Sequence, residues 1–174
     1  MKITWFSNTA FRIHIGGQIL VVDADQAPKE VEPKELLSGA DLVVRLAEEH
    51  PQAEGPTWSP RPPERLLDAG ESGRPLAVWG IGTGSLLIDA DADHPLLLLA
   101  GEVPNLGRWM EQGVVILADG DLAARASRLL EERTPRLIAL AGDEVEVSAA
   151  FDAVRDRLDG AGLIALEAGM AVEV

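Results

Sequence analysis

Apolar and polar residues alternate from the second position onward, and that alternation sets the first elements. "KITWF" at 2–6 reads as a strand, and "AFRIHI" puts Phe11, Ile13 and Ile15 on one face with Arg12 and His14 on the other. "GG" at 16 and 17 supplies a hairpin turn into a partner strand, "QILVVDAD". The chain therefore opens as an antiparallel meander. "EPKELL" at 32–37 predicts a short helix with Gly39 just past its end, and "ADLVVRL" then reads as a mostly buried strand. From Pro51 to Pro63 the run "PQAEGPTWSPRPP" opposes regular structure, because proline removes amide donors and restricts the residue before it. It reads as a surface loop or a remodelled insertion.

The rhythm changes in the second half. "PLAVWGI", "GSLLIDAD" and "PLLLLAG" are strand candidates separated by glycine or an acidic turn. "PNLGRWMEQ" predicts a short helix and "VVILAD" a buried strand. "DLAARASRLLEERT" predicts an amphipathic helix with Leu122, Ala126, Leu129 and Leu130 on one face and Asp121 as its N-cap. "RLIALAG" is another buried strand, "VSAAFDAVRDRL" a helix with Ser148 near its start, and "GLIALEAG" and "MAVEV" close the chain as strands. A meander, a second β-rich stretch and an alternating αβαβ end predict an α/β chain whose helices cover the outer faces of buried sheets. "GGQILVVDADQAP" is echoed by "GTGSLLIDADADHP", either because the fold has two similar halves or because strand-to-acidic-turn units coincide.

Composition narrows the function classes. At 174 residues the length suits one domain, residues 1–174, and no apolar run approaches the roughly 18 residues of a membrane span. "MKITWFSN" lacks the h-region of a signal peptide, so a cytoplasmic location is expected. A formal net charge of -14 repels phosphate backbones and speaks against nucleic acid as a partner. The absence of cysteine removes disulfides, thiolate metal sites and a cysteine nucleophile.

"MKITWFSNTAFRI", "GGQILVVDAD" and "ADLVV" together resemble the N-terminal third of the metallo-β-lactamase superfamily, nearest its ascorbate-phosphate lactonase-like branch of metal-dependent hydrolases. Downstream, "LLLLAGE", "VVILAD", "TPRLIALAG" and the closing helix and strands look similar to that family in order. The resemblance implies a shortened metallo-β-lactamase-like αββα sandwich. It also implies a His-x-His-x-Asp-His turn after the strand matched by "ADLVV", where imidazoles and a carboxylate hold two metals, usually zinc. Laid on this chain from Asp41, the first histidine falls on Ala47, the second on Glu49, the aspartate on Pro51 and the last histidine on Gln52. The bridging aspartate falls on Glu102, the final histidine near Ala141 to Asp143, and the N-terminal Gly-His-Ala turn on Ser7, Asn8 and Thr9. Of the positions matched one to one, only Glu49 and Glu102 offer a metal-binding side chain.

The chain has three histidines, His14, His50 and His94, too few for that two-metal site. His14 reads as a structural residue of its strand. The expectation is thus a non-catalytic relative, a pseudoenzyme with a binding, regulatory or assembly role and no cofactor. Its partner would be another protein or a second copy in a homo-oligomer, and neither nucleic acid nor membrane. The alternative is a metal-dependent hydrolase holding one zinc or other divalent metal, with ligands drawn from Glu49, His50, Asp89, Asp91, His94 and Glu102. Within "DADADHP" the alternate acids Asp89, Asp91 and Asp93 read as a calcium or magnesium cluster or, preferably, as a solvated turn. "GIGTG" at 80–84 reads as a hairpin turn rather than a phosphate loop, because a strand follows it instead of a helix. Trp58, in a polar loop, is the residue expected at an interface.

Overall fold

The computed structural model describes residues 1–61, 74–90 and 94–174. Two sheets face each other. The first is built from β1 (Lys2–Ser7), β2 (Ala10–Ile15), β3 (Gln18–Val22), β4 (Leu42–Val44) and the closing β11 (Ala171–Glu173), in the order β11-β1-β2-β3-β4. The second holds β5 (Ala77–Gly80), β6 (Ser85–Asp89), β7 (Leu96–Leu99), β8 (Val114–Ala118), β9 (Leu137–Ala141) and β10 (Gly162–Ala165), in the order β10-β9-β8-β7-β6-β5. β1 to β3 form the expected meander, and Gly16 and Gly17 adopt positive φ at its tight turn. β5 to β7 pair antiparallel, whereas β7 to β10 run parallel.

Strand periodicity separates two apolar layers. Phe11, Ile13, Ile15, Leu20 and Val22 meet Leu86, Ile88, Leu98 and Ile116 between the sheets. The alternate residues Leu87, Leu97, Val115, Leu117, Ile138 and Leu140 face outward, beneath α2 (Leu122–Glu132) and α3 (Glu144–Val154), which pack against each other. The second sheet is buried on both faces, so its strands read as continuous apolar runs. On the outer face of the first sheet lies the short α1 (Pro33–Leu37), with Leu36 buried under it. Arg12 holds it there. Its guanidinium donates to the carbonyls of Leu36 (2.5 Å) and Ser38 (2.7 Å), where a helix end carries partial negative charge.

The mixed α/β class is as expected, and several local readings change. "ADLVVRL" makes only a three-residue edge strand, and Val43 is 50% exposed because β4 has a partner on one side only. "DAD" at 23–25 leaves the strand and enters a 3-10 turn (Ala24–Gln26), and "RWMEQ" is also 3-10. α3 begins before Ser148. Asp143 accepts from the Glu146 amide (2.8 Å) while the Glu146 carboxylate accepts from the Asp143 amide (3.2 Å), a reciprocal cap that starts the helix at Glu144. α2 starts where expected, with the Asp121 carboxylate accepting from the Ala124 amide. Among the described residues no helix is long and apolar enough to cross a membrane.

Candidate functional site

The parallel pairing of β3 with β4 and of β7 with β8 brings the carboxyl ends of strands from both sheets to one edge of the sandwich. Exits from such strand ends are where α/β sheets characteristically bind ligands. Here they enclose a cleft of about 730 Å³, lined among others by Thr9, Asp23, Arg45, Glu48, Thr83 and Asp119. The β5–β6 turn forms one lip. Gly82 and Gly84 both hold positive φ there, as the hairpin reading of "GIGTG" requires. The chain leaving β7 passes so close beneath this turn that a Cβ on Gly101 would collide with the Thr83 carbonyl oxygen.

Asp23 organises the cleft floor. It follows β3 in the left-handed region (φ 44°) and is only 8% exposed. Its Oδ2 accepts the Thr9 hydroxyl at 2.6 Å from the β1–β2 turn, and its Oδ1 accepts the Leu46 amide at 2.9 Å from the exit of β4. Its own amide donates to the Val44 carbonyl at 3.0 Å. One carboxylate therefore joins three chain segments, and both of its oxygens are engaged. Asp119, in the left-handed region at the end of β8, is exposed at the junction of the two sheets. Beneath it, Arg125 of α2 donates from Nη1 to the carbonyls of Leu99 (3.0 Å) and Ala118 (2.8 Å), stitching the ends of β7 and β8. Burial lowers its pKa from the ordinary value, while Asp119, Asp121 and Glu146 raise it. The guanidinium remains a cation at neutral pH. Arg45 on the rim lies 3.9 Å from Asp25, both more than half exposed, a spacing worth little in water.

The candidate metal ligands fall at two ends of the sandwich. Glu49 and His50 follow β4, with Glu49 exposed. His50 Nε2 lies 2.8 Å from the Arg45 carbonyl, so that nitrogen carries the proton and is committed within its own turn. Glu102 is on the same edge but lines a neighbouring cavity of about 570 Å³ with Thr83 and Pro104. Asp89 and His94 lie at the opposite end of the β6–β7 hairpin, as the pairing of Ser85 with Leu99 and Ile88 with Leu96 requires. His94 is exposed there, and Asp91 and Asp93 lie outside the described residues. Among the described residues, no three His, Cys, Asp or Glu side chains come together in a way that could hold a metal ion.

Asp89 departs from the solvated-turn expectation. It is 2% exposed, and its Oδ2 accepts from Arg61 Nε (2.8 Å) and from the Arg61 amide (3.2 Å). The pair anchors the end of the proline-rich loop. Trp58, the residue expected at an interface, is half-buried. Its ring packs edge-on against Trp109 (4.7 Å) and Trp79 (5.8 Å), and the Trp109 indole donates to the Gly55 carbonyl at 2.7 Å. The described part of the loop, residues 51–61, has no helix or strand beyond a bridge from Gln52 to Gly80 along the β5 edge. His14 is half-buried on the outer face of the first sheet, its pKa lowered by desolvation and then by Lys2 and Arg12.

Asp23, Asp119 and Arg125 were not singled out in the sequence, although two carried signals. Asp23 holds the place in the first "DAD" that Asp89 holds in the second, and both are buried strand-end carboxylates that accept one amide and one side-chain donor. Arg125 sits at the i+3 position of the stripe Leu122, Ala126, Leu129, where a cation needs an internal partner. No family model, curated protein or solved structure matches the chain.

Proposed function

We propose that this chain is a non-catalytic binding protein on a metallo-β-lactamase-like sandwich, and that it binds its ligand in the strand-end cleft. Support for the architecture comes from the two facing sheets, the helices over the second sheet and α1 over the first. The functional reading rests on one observation. The buried carboxylate that lines the cleft, Asp23, spends one acceptor site of each oxygen on Thr9 and Leu46 and ties three chain segments together, which supports a structural role over that of a free base or ligand. A general base needs a lone pair directed at substrate, and a metal ligand needs one directed at the ion. The acids around it, Asp25, Glu48 and Asp119, are exposed and suit recognition by charge more than proton transfer in a dry site.

The test is to load the purified protein with zinc, manganese or magnesium, dialyse it, measure retained metal, and assay it on ester, lactone and phosphodiester substrates. Less than about a tenth of an equivalent of metal and no turnover above buffer is the expected result. Near-stoichiometric retention with turnover that falls on Glu48→Gln or Asp119→Asn substitution would overturn the reading and restore the single-metal hydrolase.

A further inference from the structure

The cleft continues beyond Asp119. That residue also lines a second cavity of about 350 Å³ with Asn8 and Glu146, and Trp5 and Gly142 carry the space into a third of about 520 Å³ against Val147 and Leu166. Neighbouring cavities share these lining residues, so the three follow one another along the strand-end edge as a furrow. Its acids are distributed along its length. Asp25 and Glu48 stand at the first cavity, Asp119 and Glu146 at the second, and Glu144 and Glu167 at the third. Arg45 is the one cation among the described residues lining it, and it leans toward Asp25. The third cavity is the apolar end, with Trp5, Val147 and Leu166 in its wall. The Trp5 indole N–H already donates to the Asn8 carbonyl at 3.0 Å, so its polar edge is satisfied and its remaining contribution to a ligand is apolar.

We infer that the furrow takes an extended peptide segment rich in lysine or arginine, with an apolar side chain seated against Trp5. The inference rests on the binding reading above and names its ligand class. A compact ligand would use one cavity, whereas three successive cavities with carboxylates at intervals match a linear chain whose cationic groups recur. A chain with formal net charge -14 also attracts such a segment at long range and repels anionic competitors. A polyamine would satisfy the carboxylates and leave the Trp5 end unfilled.

The test is fluorescence anisotropy with a labelled peptide of alternating lysine and alanine that ends in leucine. Comparison peptides carry glutamate for lysine or alanine for the leucine, and unlabelled peptide and spermine serve as competitors. The protein variant is Glu48→Gln/Asp119→Asn/Glu146→Gln. Asparagine tolerates the positive φ at 119, and glutamine keeps the reciprocal cap at 146. Saturable 1:1 binding of the lysine peptide is expected, weakened about tenfold in the triple variant from three modest charge pairs. Loss of the leucine should weaken it several-fold, and the glutamate peptide should not bind. The inference is overturned if no peptide saturates, if the glutamate peptide binds equally, if the triple variant binds like the parent, or if spermine competes at or below the concentration of unlabelled peptide. Failure of the peptide with no metal retention and no turnover removes this inference alone, while metal retention with turnover removes the binding reading as well.

Discussion

Removing the Asp23 carboxylate is the sharpest perturbation of the cleft. Asp23 accepts two hydrogen bonds, at 2.6 and 2.9 Å, and is 8% exposed. Hydrogen bonds to a charged group contribute about 1.5–3 kcal/mol each, and water can partly replace the carboxylate at the half-buried Thr9 and Leu46, so Asp23→Gly should cost about 2–4 kcal/mol. Alanine adds the strain of a Cβ at φ 44°, about 1 kcal/mol more. Asparagine tolerates that φ, keeps an acceptor for the Leu46 amide, and can donate to the Thr9 oxygen once its hydroxyl turns away, so its loss should be about 1 kcal/mol. Urea unfolding at constant m-value measures the series, and a double-mutant cycle with Thr9→Val isolates the 2.6 Å contact. The coupling should be about 1 kcal/mol. Asp23→Gly within about 0.5 kcal/mol of the parent, or no coupling to Thr9, would refute the claim that this carboxylate is a weld.

Three further outcomes follow from the same contacts. Arg61→Ala leaves the 2% exposed Asp89 without its guanidinium and should cost about 3 kcal/mol, with Asp89→Asn in the same chain recovering part of the loss; additive effects in urea unfolding would contradict the pairing. Trp58→Ala removes the ring packed on Trp79 and Trp109 and should cost about 3 kcal/mol with loss of near-ultraviolet dichroism, whereas unchanged stability with altered self-association would return Trp58 to an interface role. His14 has a folded-state pKa below its unfolded value of about 6.5, so the unfolded chain binds more protons as pH falls through that window and stability should fall with it. His14→Gln should flatten that part of the stability–pH profile, and an unchanged slope would contradict the assignment.

Local periodicity carried the elements it physically controls. The spacing of Leu122, Ala126 and Leu129 behind Asp121 located α2 because both the buried stripe and the cap are local. The start of α3 was misplaced because its signal is the Asp143 and Glu146 pair rather than an apolar stripe. "ADLVVRL" misled because an apolar run does not state how many partners its strand will have, and β4 has one. The cleft was harder to read. Its floor joins residues 9, 23 and 46, and that contact depends on β3 and β4 pairing in parallel, which no local pattern encodes. Trp58 likewise finds Trp109 across a loop without periodicity. The repeated "DAD" was the one long-range hint, and the first acid of each copy, Asp23 and Asp89, is a buried carboxylate.

Backbone amide shifts followed by heteronuclear NMR during a zinc titration test the central claim most directly. Because Asp23 is engaged and His50 is turned into its own loop, shifts should stay small and scattered, without saturation near one equivalent. Saturable shifts converging on Thr9, Asp23, Leu46, Glu48 and Asp119 at one zinc per chain would contradict the account and place a metal in the cleft.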